Sequence, residues 1–112
     1  MRTETSQIAL LHTGMIMKQE FTMEVTADNN FSVLNRIINV LNRRRVRIKK
    51  LMAHENEQDF KRGSVVMLVF TTSDLIEKVK LQLEKLIEVE EVKVFDGSHV
   101  YMEMSERIVD VD

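Results

Sequence analysis

The chain has 112 residues, 44% of them hydrophobic, which is enough for one small domain with a buried core and no more. The 16 basic and 18 acidic residues leave a net charge of −2, which excludes a uniformly basic nucleic-acid-binding protein and an acidic disordered chain. Cysteine and proline are absent and only three glycines occur, so there is no disulfide framework or thiolate metal site, and other residues must occupy the turns.

Residues 1–17 precede the first clear pattern and are interpreted as an N-terminal extension. Their short apolar stretch, residues 8–11, has no small-residue cleavage site after it, so a signal peptide is not indicated. No segment approaches the roughly twenty apolar residues of a membrane-spanning helix. The sequence therefore predicts a soluble, cytoplasmic protein that does not contact membranes.

The first two elements are a strand and a helix. Apolar and polar residues alternate from Glu20 to Val25, which is typical of a half-buried strand. The strand ends at residues 28–30, Asp-Asn-Asn, which favour turns and helix caps. A helix follows, and its apolar stripe is Leu34, Ile37, Ile38 and Leu41. Three arginines, residues 43–45, end it, where positive charge suits a helix C-terminus.

Two strands come next. Residues 46–53 alternate again and predict a second strand, whereas the polar run 55–62, which ends at Gly63, predicts a loop. Residues 65–70 are apolar without a break, which favours a central strand that is buried on both faces.

A second helix and a fourth strand complete the domain. Residues 71–74, Thr-Thr-Ser-Asp, offer helix caps, and Asp74 and Glu77 have the spacing of a capping box. The apolar stripe of the helix that they open is Ile76, Val79, Leu83 and Leu86. Val92 and Val94 then form a short strand before the Asp-Gly turn at residues 96–97.

The order strand, helix, strand, strand, helix, strand over residues 18–96 predicts a ferredoxin-like βαββαβ domain of the α+β class. Its four-stranded antiparallel sheet would carry both helices on one face. The other face would be left bare. Residues 66, 68 and 70 would lie on one side of the sheet and residues 65, 67 and 69 on the other, so a half-apolar face requires cover from a partner or from the chain's own tail. In that tail, residues 97–112, three apolar residues alternate and predict a possible fifth strand: Val100, Met102 and Met104.

No constellation of residues points to catalysis. The three histidines, His12, His54 and His99, are far apart and lack the spacing of metal ligands. Three scattered glycines cannot form a phosphate-binding loop, and no serine has the context of a nucleophile elbow. Glutamates and lysines on the second helix pair at helical spacing, which indicates a solvated face. The sequence predicts neither a catalytic nor a metal site.

Seven basic residues without an acid among them occupy the end of the first helix and the second strand: Arg36, Arg43, Arg44, Arg45, Arg47, Lys49 and Lys50. RNA-recognition modules share the predicted topology. However, the glycine-aromatic signature of those modules is missing. The segment is better interpreted as a solvated helix end, or as a patch that docks onto an acidic partner, and no nucleic acid is expected to bind.

Three stretches carry a family resemblance. Residues 28–37 read DNNFSVLNRI and resemble the opening loop and helix of an ACT domain, specifically that of the regulatory small subunit of acetolactate synthase (acetohydroxyacid synthase). Residues 41–48, LNRRRVRI, are similar to the end of that helix, and residues 82–89, QLEKLIEV, to the close of the second helix. Residues 99–103 resemble the start of the second domain of longer members, so the likeness covers residues 18–104.

The resemblance implies a non-catalytic regulatory subunit. Such subunits bind and stimulate the catalytic large subunit of acetolactate synthase in branched-chain amino-acid biosynthesis, and in many members valine then inhibits. ACT domains form homodimers through side-by-side sheets and bind an amino acid where the first loop meets the neighbouring chain. This chain would hold no cofactor, because thiamine diphosphate, magnesium and flavin are expected on the catalytic partner. The alternative is a stand-alone ACT-type module that senses an amino acid or another small metabolite.

The resemblance also places a ligand site at the dimer interface, formed by Asn29, Asn30, Phe31, Ser32, Val33, Leu34, Arg47 and Ile48. Backbone N–H groups at the helix start would bind the carboxylate of the ligand, and the side-chain oxygen of Asn29 would accept from its ammonium group. Ser32 and Arg47 stand where the family usually has glycine and asparagine, so valine feedback is expected to be weak or absent. Phe31 replaces proline or a small residue and is either a pocket residue or a hydrophobic staple. Arg45 stands at another position where the family usually has glycine.

Overall fold

Residues 17–110 are described by the computed structural model, with side chains to residue 107, and they form one four-stranded sheet and three helices. The elements are β1 Gln19–Asp28, α1 Phe31–Arg43, β2 Arg47–Asn56, β3 Asp59–Thr71, α2 Ser73–Glu84, β4 Val89–Asp96 and α3 His99–Asp110. The strand order is β2-β3-β1-β4, and every neighbouring pair is antiparallel. The predicted βαββαβ fold is confirmed. The predicted extension, up to residue 16, lies outside the described residues.

The uninterrupted apolar run in β3 is explained by burial on both faces of the sheet. Val65, Met67 and Val69 point into the core that α1 and α2 close, whereas Val66 and Leu68 belong to a second apolar cluster on the opposite face. Side chains on a strand alternate between faces, so both sets are satisfied only in a central strand. Within residues 17–110, no helix is long and apolar enough to cross a bilayer.

The helices start at polar caps. The side chain of Asn30 accepts a hydrogen bond from the Val33 N–H at 3.0 Å, and Thr72 accepts one from the Leu75 N–H at 3.2 Å, as N-cap residues do. The cap of the second of these helices is Thr72, one of the residues 71–74 that the sequence offers, whereas the capping-box spacing that begins at Asp74 is wrong. Asp74 instead lies in the first turn and pairs with Lys78 four residues later.

The polar run 55–62 is not a loop. β2 and β3 continue as a hairpin in which only residues 57 and 58 form the turn. The hairpin end projects past the helices, and residues 55–61 are exposed, so no burial requires apolar side chains there. The segment is polar because both of its faces are in contact with solvent. Its composition therefore predicted a loop, although its backbone is paired in the hairpin.

The predicted fifth strand is wrong, since the tail forms α3. The helix brings Tyr101 and Met104, three residues apart, onto one side, where they join the cluster of Val66 and Leu68. The two-residue alternation that suggested a strand has no structural counterpart, because Met102 is 45% exposed. The second sheet face was expected to be covered by a partner or by the chain's own tail, and the tail covers part of it.

Thr22 on β1 anchors the start of α3. Its hydroxyl, which is fully buried, donates to the Gly97 carbonyl at 2.8 Å and accepts from the Tyr101 N–H at 3.2 Å. Tyr101 lies in the first turn of α3, where N–H groups have no acceptor within the helix. Gly97 makes the preceding turn with φ of 75°, a conformation that glycine adopts at little cost. The Thr22 hydroxyl, on β1, thus caps the N-terminus of α3.

α1 ends in a Schellman motif with an arginine at its left-handed position. The Val46 N–H donates to the Leu41 carbonyl and the Arg45 N–H to the Asn42 carbonyl, both at 3.0 Å, and Arg45 has φ of 56°. Glycine is the usual residue at this position. A residue with a Cβ is held there at a cost of roughly 1–2 kcal/mol.

The change Arg45→Gly is expected to raise the free energy of unfolding by about 0.5–1 kcal/mol, because relief of the left-handed strain exceeds the extra chain entropy of glycine. Urea unfolding monitored by circular dichroism measures it. The matched change Arg43→Gly removes a residue with ordinary helical geometry from the last turn and should lower stability by up to about 1 kcal/mol. A lower urea midpoint for Arg45→Gly would contradict the strain argument.

The packing of Tyr101 makes stability depend on alkaline pH. Burial raises the pKa of Tyr101 above its ordinary value of 10.0, because the phenolate is disfavoured away from water. The unfolded chain then loses this proton first, so the contribution is constant below about pH 10 and declines as pH rises toward the folded pKa. The chain has one tyrosine and no tryptophan, so tyrosinate absorbance follows this residue directly. A midpoint at or below pH 10 in the folded protein would refute the burial effect.

Candidate functional site

A cavity of about 520 Å³ lies between the first half of α1 and the part of the β2–β3 hairpin that is near its turn. Mostly apolar side chains line it, with polar groups at the loop between β1 and α1. The lining residues on the loop and helix are Ala27, Asp28, Asn29, Asn30, Phe31, Val33, Leu34 and Ile37, and those on the hairpin are Ala53, His54, Glu55, Gly63, Ser64 and Val65. An apolar-walled pocket of this size with a few converging polar groups is typical of a small-molecule site.

The side chain of Asn29 is fixed across the pocket mouth. Its Nδ2 donates to the Glu55 carboxylate at 2.8 Å and to the Phe60 carbonyl at 2.9 Å. Because both partners can only accept, the amide nitrogen must face them, and the orientation of the amide is determined. The carbonyl oxygen Oδ1 points the other way, where it is suited to accept from the ammonium group of a ligand.

The N-terminus of α1 supplies donors at the same mouth. Asn30 caps the Val33 N–H and also accepts from the Ser32 hydroxyl at 2.8 Å. The N–H groups of Phe31 and Ser32 have no acceptor within the helix. They lie at the positive end of the helix dipole, which favours a carboxylate.

Acidic side chains set the charge of the pocket. Asp28 and Glu55 both line it. Asp28 is paired with Arg62 at 2.9 Å, and Arg62 also approaches Glu90 at 3.7 Å. Glu55 is bonded to the neutral Asn29, so its negative charge is not compensated there. The arrangement can bind a small zwitterion, with its ammonium group near Glu55 and Asn29 and its carboxylate at the helix start. Among the residues with described side chains, no cluster could hold a metal ion.

The pocket gathers five of the eight residues expected in the site, which are Asn29, Asn30, Phe31, Val33 and Leu34. Three others do not line it. The Ser32 hydroxyl is turned to Asn30, while Arg47 and Ile48 begin β2 and the pocket borders residues 53–55 near its end. At about 3.3 Å per residue, roughly 20 Å of strand separates Ile48 from His54.

Phe31 is a pocket residue and not a staple. A staple occupies the position before the cap, whereas Phe31 is the first residue of α1, directly after the Asn30 cap. Its side chain is 85% exposed, and it lines the pocket. Of the two interpretations of this residue, the staple is therefore wrong.

The hairpin side of the pocket was missed from sequence. Glu55 and Gly63 pair across the hairpin, within the run interpreted as a loop. A Cβ on Gly63 would lie 3.0 Å from the His54 carbonyl oxygen and 3.4 Å from Asn29 Oδ1, so this glycine allows the two strands and the loop to meet. An isolated glycine in a strand marks a place where another part of the backbone comes close, so Gly63 was the signal in the sequence for this side of the pocket.

The family of the chain is identified by comparison with protein-family models. The ACT domain family model matches residues 29–92. A search of curated protein sequences gave no significant match. Among solved structures, the acetolactate synthase small subunit of Thermotoga maritima is 25% identical and superposes with a TM-score of 0.60, covering 68% of this chain and 47% of that one.

Other structural neighbours share the fold at lower identity. The ACT domain of GTP pyrophosphokinase from Chlorobium tepidum is 12% identical, with a TM-score of 0.61, covering 70% of this chain and 100% of that one. A homoserine dehydrogenase from Thiobacillus denitrificans is 14% identical, with a TM-score of 0.62, covering 74% of this chain and 18% of that one. These neighbours establish the fold and not a shared activity.

The family match extends over more than half of the sequence and includes the loop, α1, the hairpin and α2. ACT domains are regulatory and non-catalytic, commonly dimerise and bind amino-acid effectors. Apart from Ala27 and Asp28, the residues that line the pocket at the start of α1 lie inside the matched region. On this basis the chain belongs to the ACT domain family.

Proposed function

We propose that this chain is the regulatory subunit of an acetolactate synthase, acting in the cytoplasm on a catalytic subunit that holds thiamine diphosphate, magnesium and flavin. The observation that carries the proposal is the 25% identity to the Thermotoga maritima small subunit. The chain spans 47% of the length of that subunit. Branched-chain amino-acid biosynthesis is the pathway that this assignment implies.

Co-elution tests the assignment. The purified chain is mixed with the acetolactate synthase catalytic subunit of the same organism and passed over a size-exclusion column. One complex that contains both chains is expected. Separate elution at micromolar concentrations of each would contradict the proposal.

The second part of the proposal is a homodimer joined at β2. This strand forms one edge of the sheet, and Leu51, Ala53 and Glu55 are exposed although they lie on its core-facing side. An unpaired edge beside exposed apolar side chains is suited to pairing with a second sheet. Light scattering should give twice the chain mass, and Leu51→Asp should shift the protein toward monomers.

Antiparallel pairing of two β2 strands would also complete the pocket. The start of one β2 would then lie beside the end of the other, which borders the pocket. The partner subunit's Arg47 and Ile48 would thus approach Asn29, although the same residues of one chain are about 20 Å along the strand from it. This geometry would bring Arg47 and Ile48 of one chain to the five expected residues that line the pocket of the other.

Valine is expected to bind weakly. In such a dimer the guanidinium of Arg47 would compete with the ammonium group of the ligand for the Glu55 carboxylate, which is bonded only to the neutral Asn29 amide. Valine should therefore stabilise the protein against heating no more than leucine or glycine does. If thermal shifts gave an apparent affinity for valine tenfold higher than that for leucine or glycine, this expectation would be refuted. The double variant Ser32→Gly, Arg47→Asn tests whether these two positions weaken valine binding.

A stand-alone metabolite sensor is the second candidate, favoured by a pocket of about 520 Å³ with Asn29 already oriented. Calorimetry against the twenty amino acids tests it. Tight binding to the chain without any catalytic subunit would favour the sensor. Gly63→Val is the control for the pocket, because its side chain would meet Asn29 and close the site.

A further inference from the structure

We propose that a basic patch at the end of α1 is the surface through which the chain docks onto an acidic segment of its catalytic partner. The basic patch consists of Arg44, Lys78 and Lys85, which line one depression, together with the exposed Arg43 and Arg45 on either side of Arg44 in the chain. The inference rests on the proposed function, because it specifies where the catalytic subunit binds.

The fold brings cations from two helices together. Arg44 follows α1, and its Nε donates to the Gln82 side chain of α2 at 3.0 Å. Around this contact is a shallow depression of about 400 Å³, lined by Arg44, Lys78, Leu81, Gln82 and Lys85. The hydrogen bond holds one guanidinium in place, so less conformational entropy is lost when a partner binds it.

The charge of the patch is largely unbalanced. Asp74 pairs with Lys78 at 3.3 Å, and it is the one acid bonded to the patch among the side chains that are described. Glu77 and Glu84 lie along α2 without an ion pair to these cations in residues 17–107. The surplus of positive charge attracts a surface of the opposite sign.

The conformation of Arg45 is an independent observation. Glycine would fit its left-handed backbone at lower cost, and Arg45 is exposed. Within the described part of the chain it forms no ion pair that would repay the strain. A charged side chain retained at a conformational cost, without a role in the fold, indicates a role outside it.

The depression favours a protein partner over a nucleic acid. Leu81 lies in it and is 55% exposed, so the depression suits an occupant that offers an apolar side chain as well as carboxylates. Single-stranded nucleic acids stack on aromatic side chains. The exposed aromatics of the described residues, Phe31 and Phe60, belong to the opposite end of the molecule, beside Asn29.

Three variants of the full chain are titrated into the catalytic subunit, with binding followed by calorimetry at several salt concentrations. The double variant Lys78→Glu, Lys85→Glu is expected to bind at least about tenfold more weakly. Arg45→Gly should also bind more weakly although its melting temperature rises, which separates docking from folding. The matched control Lys61→Glu, Lys93→Glu changes two lysines elsewhere on the surface and should stay within about twofold of wild type. Wild-type affinity should fall as salt increases.

Each outcome decides the question. If the wild-type chain binds the catalytic subunit and the Lys78/Lys85 variant binds equally well, the patch is not the docking surface while the proposed function stands. If the wild-type chain does not bind, both fall together. Binding of oligouridine RNA that the Lys78/Lys85 variant loses, with association to the catalytic subunit unchanged, would assign the patch to nucleic acid and overturn the inference.

Discussion

Replacing Leu41 by alanine is expected to lower the free energy of unfolding by about 3 kcal/mol. The side chain is fully buried in the main core, and the Leu41 carbonyl accepts the Val46 N–H that closes α1. Removing the side chain leaves a cavity at the point where the helix turns into β2. Equilibrium urea unfolding followed by circular dichroism measures the loss.

The matched control is Leu81→Ala. Leu81 also lies on a helix, but it is 55% exposed, so the same chemical change should alter stability by no more than about 0.5 kcal/mol. Equal losses for the two variants would contradict the assignment of the core to this face of α1.

The change Thr22→Val is expected to cost about 2 kcal/mol and to loosen α3. Valine keeps the shape of threonine but removes the hydroxyl, so the Tyr101 N–H and the Gly97 carbonyl both lose the partner that they have now. The Tyr101 N–H is buried without an acceptor in its own helix, so the loss is that of a helix cap. Amide hydrogen exchange should accelerate through α3 more than through α1.

A second threonine provides the opposite case. Thr71 is 1% exposed, and its hydroxyl has no hydrogen-bond partner among the described residues. Thr71→Val should therefore raise stability by about 1 kcal/mol, because an unsatisfied buried hydroxyl is removed. If both valine variants shifted the unfolding midpoint in the same direction, the two hydroxyls would not differ as the structure indicates.

The periodic elements could be predicted from sequence because burial imposes their patterns. The alternation in β1 and the stripe of α1 follow directly from one buried face each. The hairpin end and α3 could not be predicted in this way. Residues 55–61 are exposed and so carry no pattern of burial. Among the residues of α3 up to 107, only Tyr101 is buried, which is too little for a helical period to dominate three alternating apolar residues.

The part of the candidate site at residues 29–34 could be predicted from the sequence, because a polar cap before an apolar helix has a recognisable pattern. The other half depends on pairing between distant strands. Gly63 and Glu55 reach the pocket only through the register of β2 and β3, and a shift in that register near Ile48 has no local signal in the sequence. The positive φ of Arg45 is a partial exception, because the resemblance placed a glycine there.

The rate of acetolactate formation tests the proposal that this ACT domain regulates an acetolactate synthase. The catalytic subunit of the same organism is assayed at saturating pyruvate with thiamine diphosphate, magnesium and flavin, while the chain is added from substoichiometric amounts to excess. Turnover is expected to rise severalfold and to level off at a fixed ratio of the two chains. A rate that stays constant over the whole titration would contradict the account.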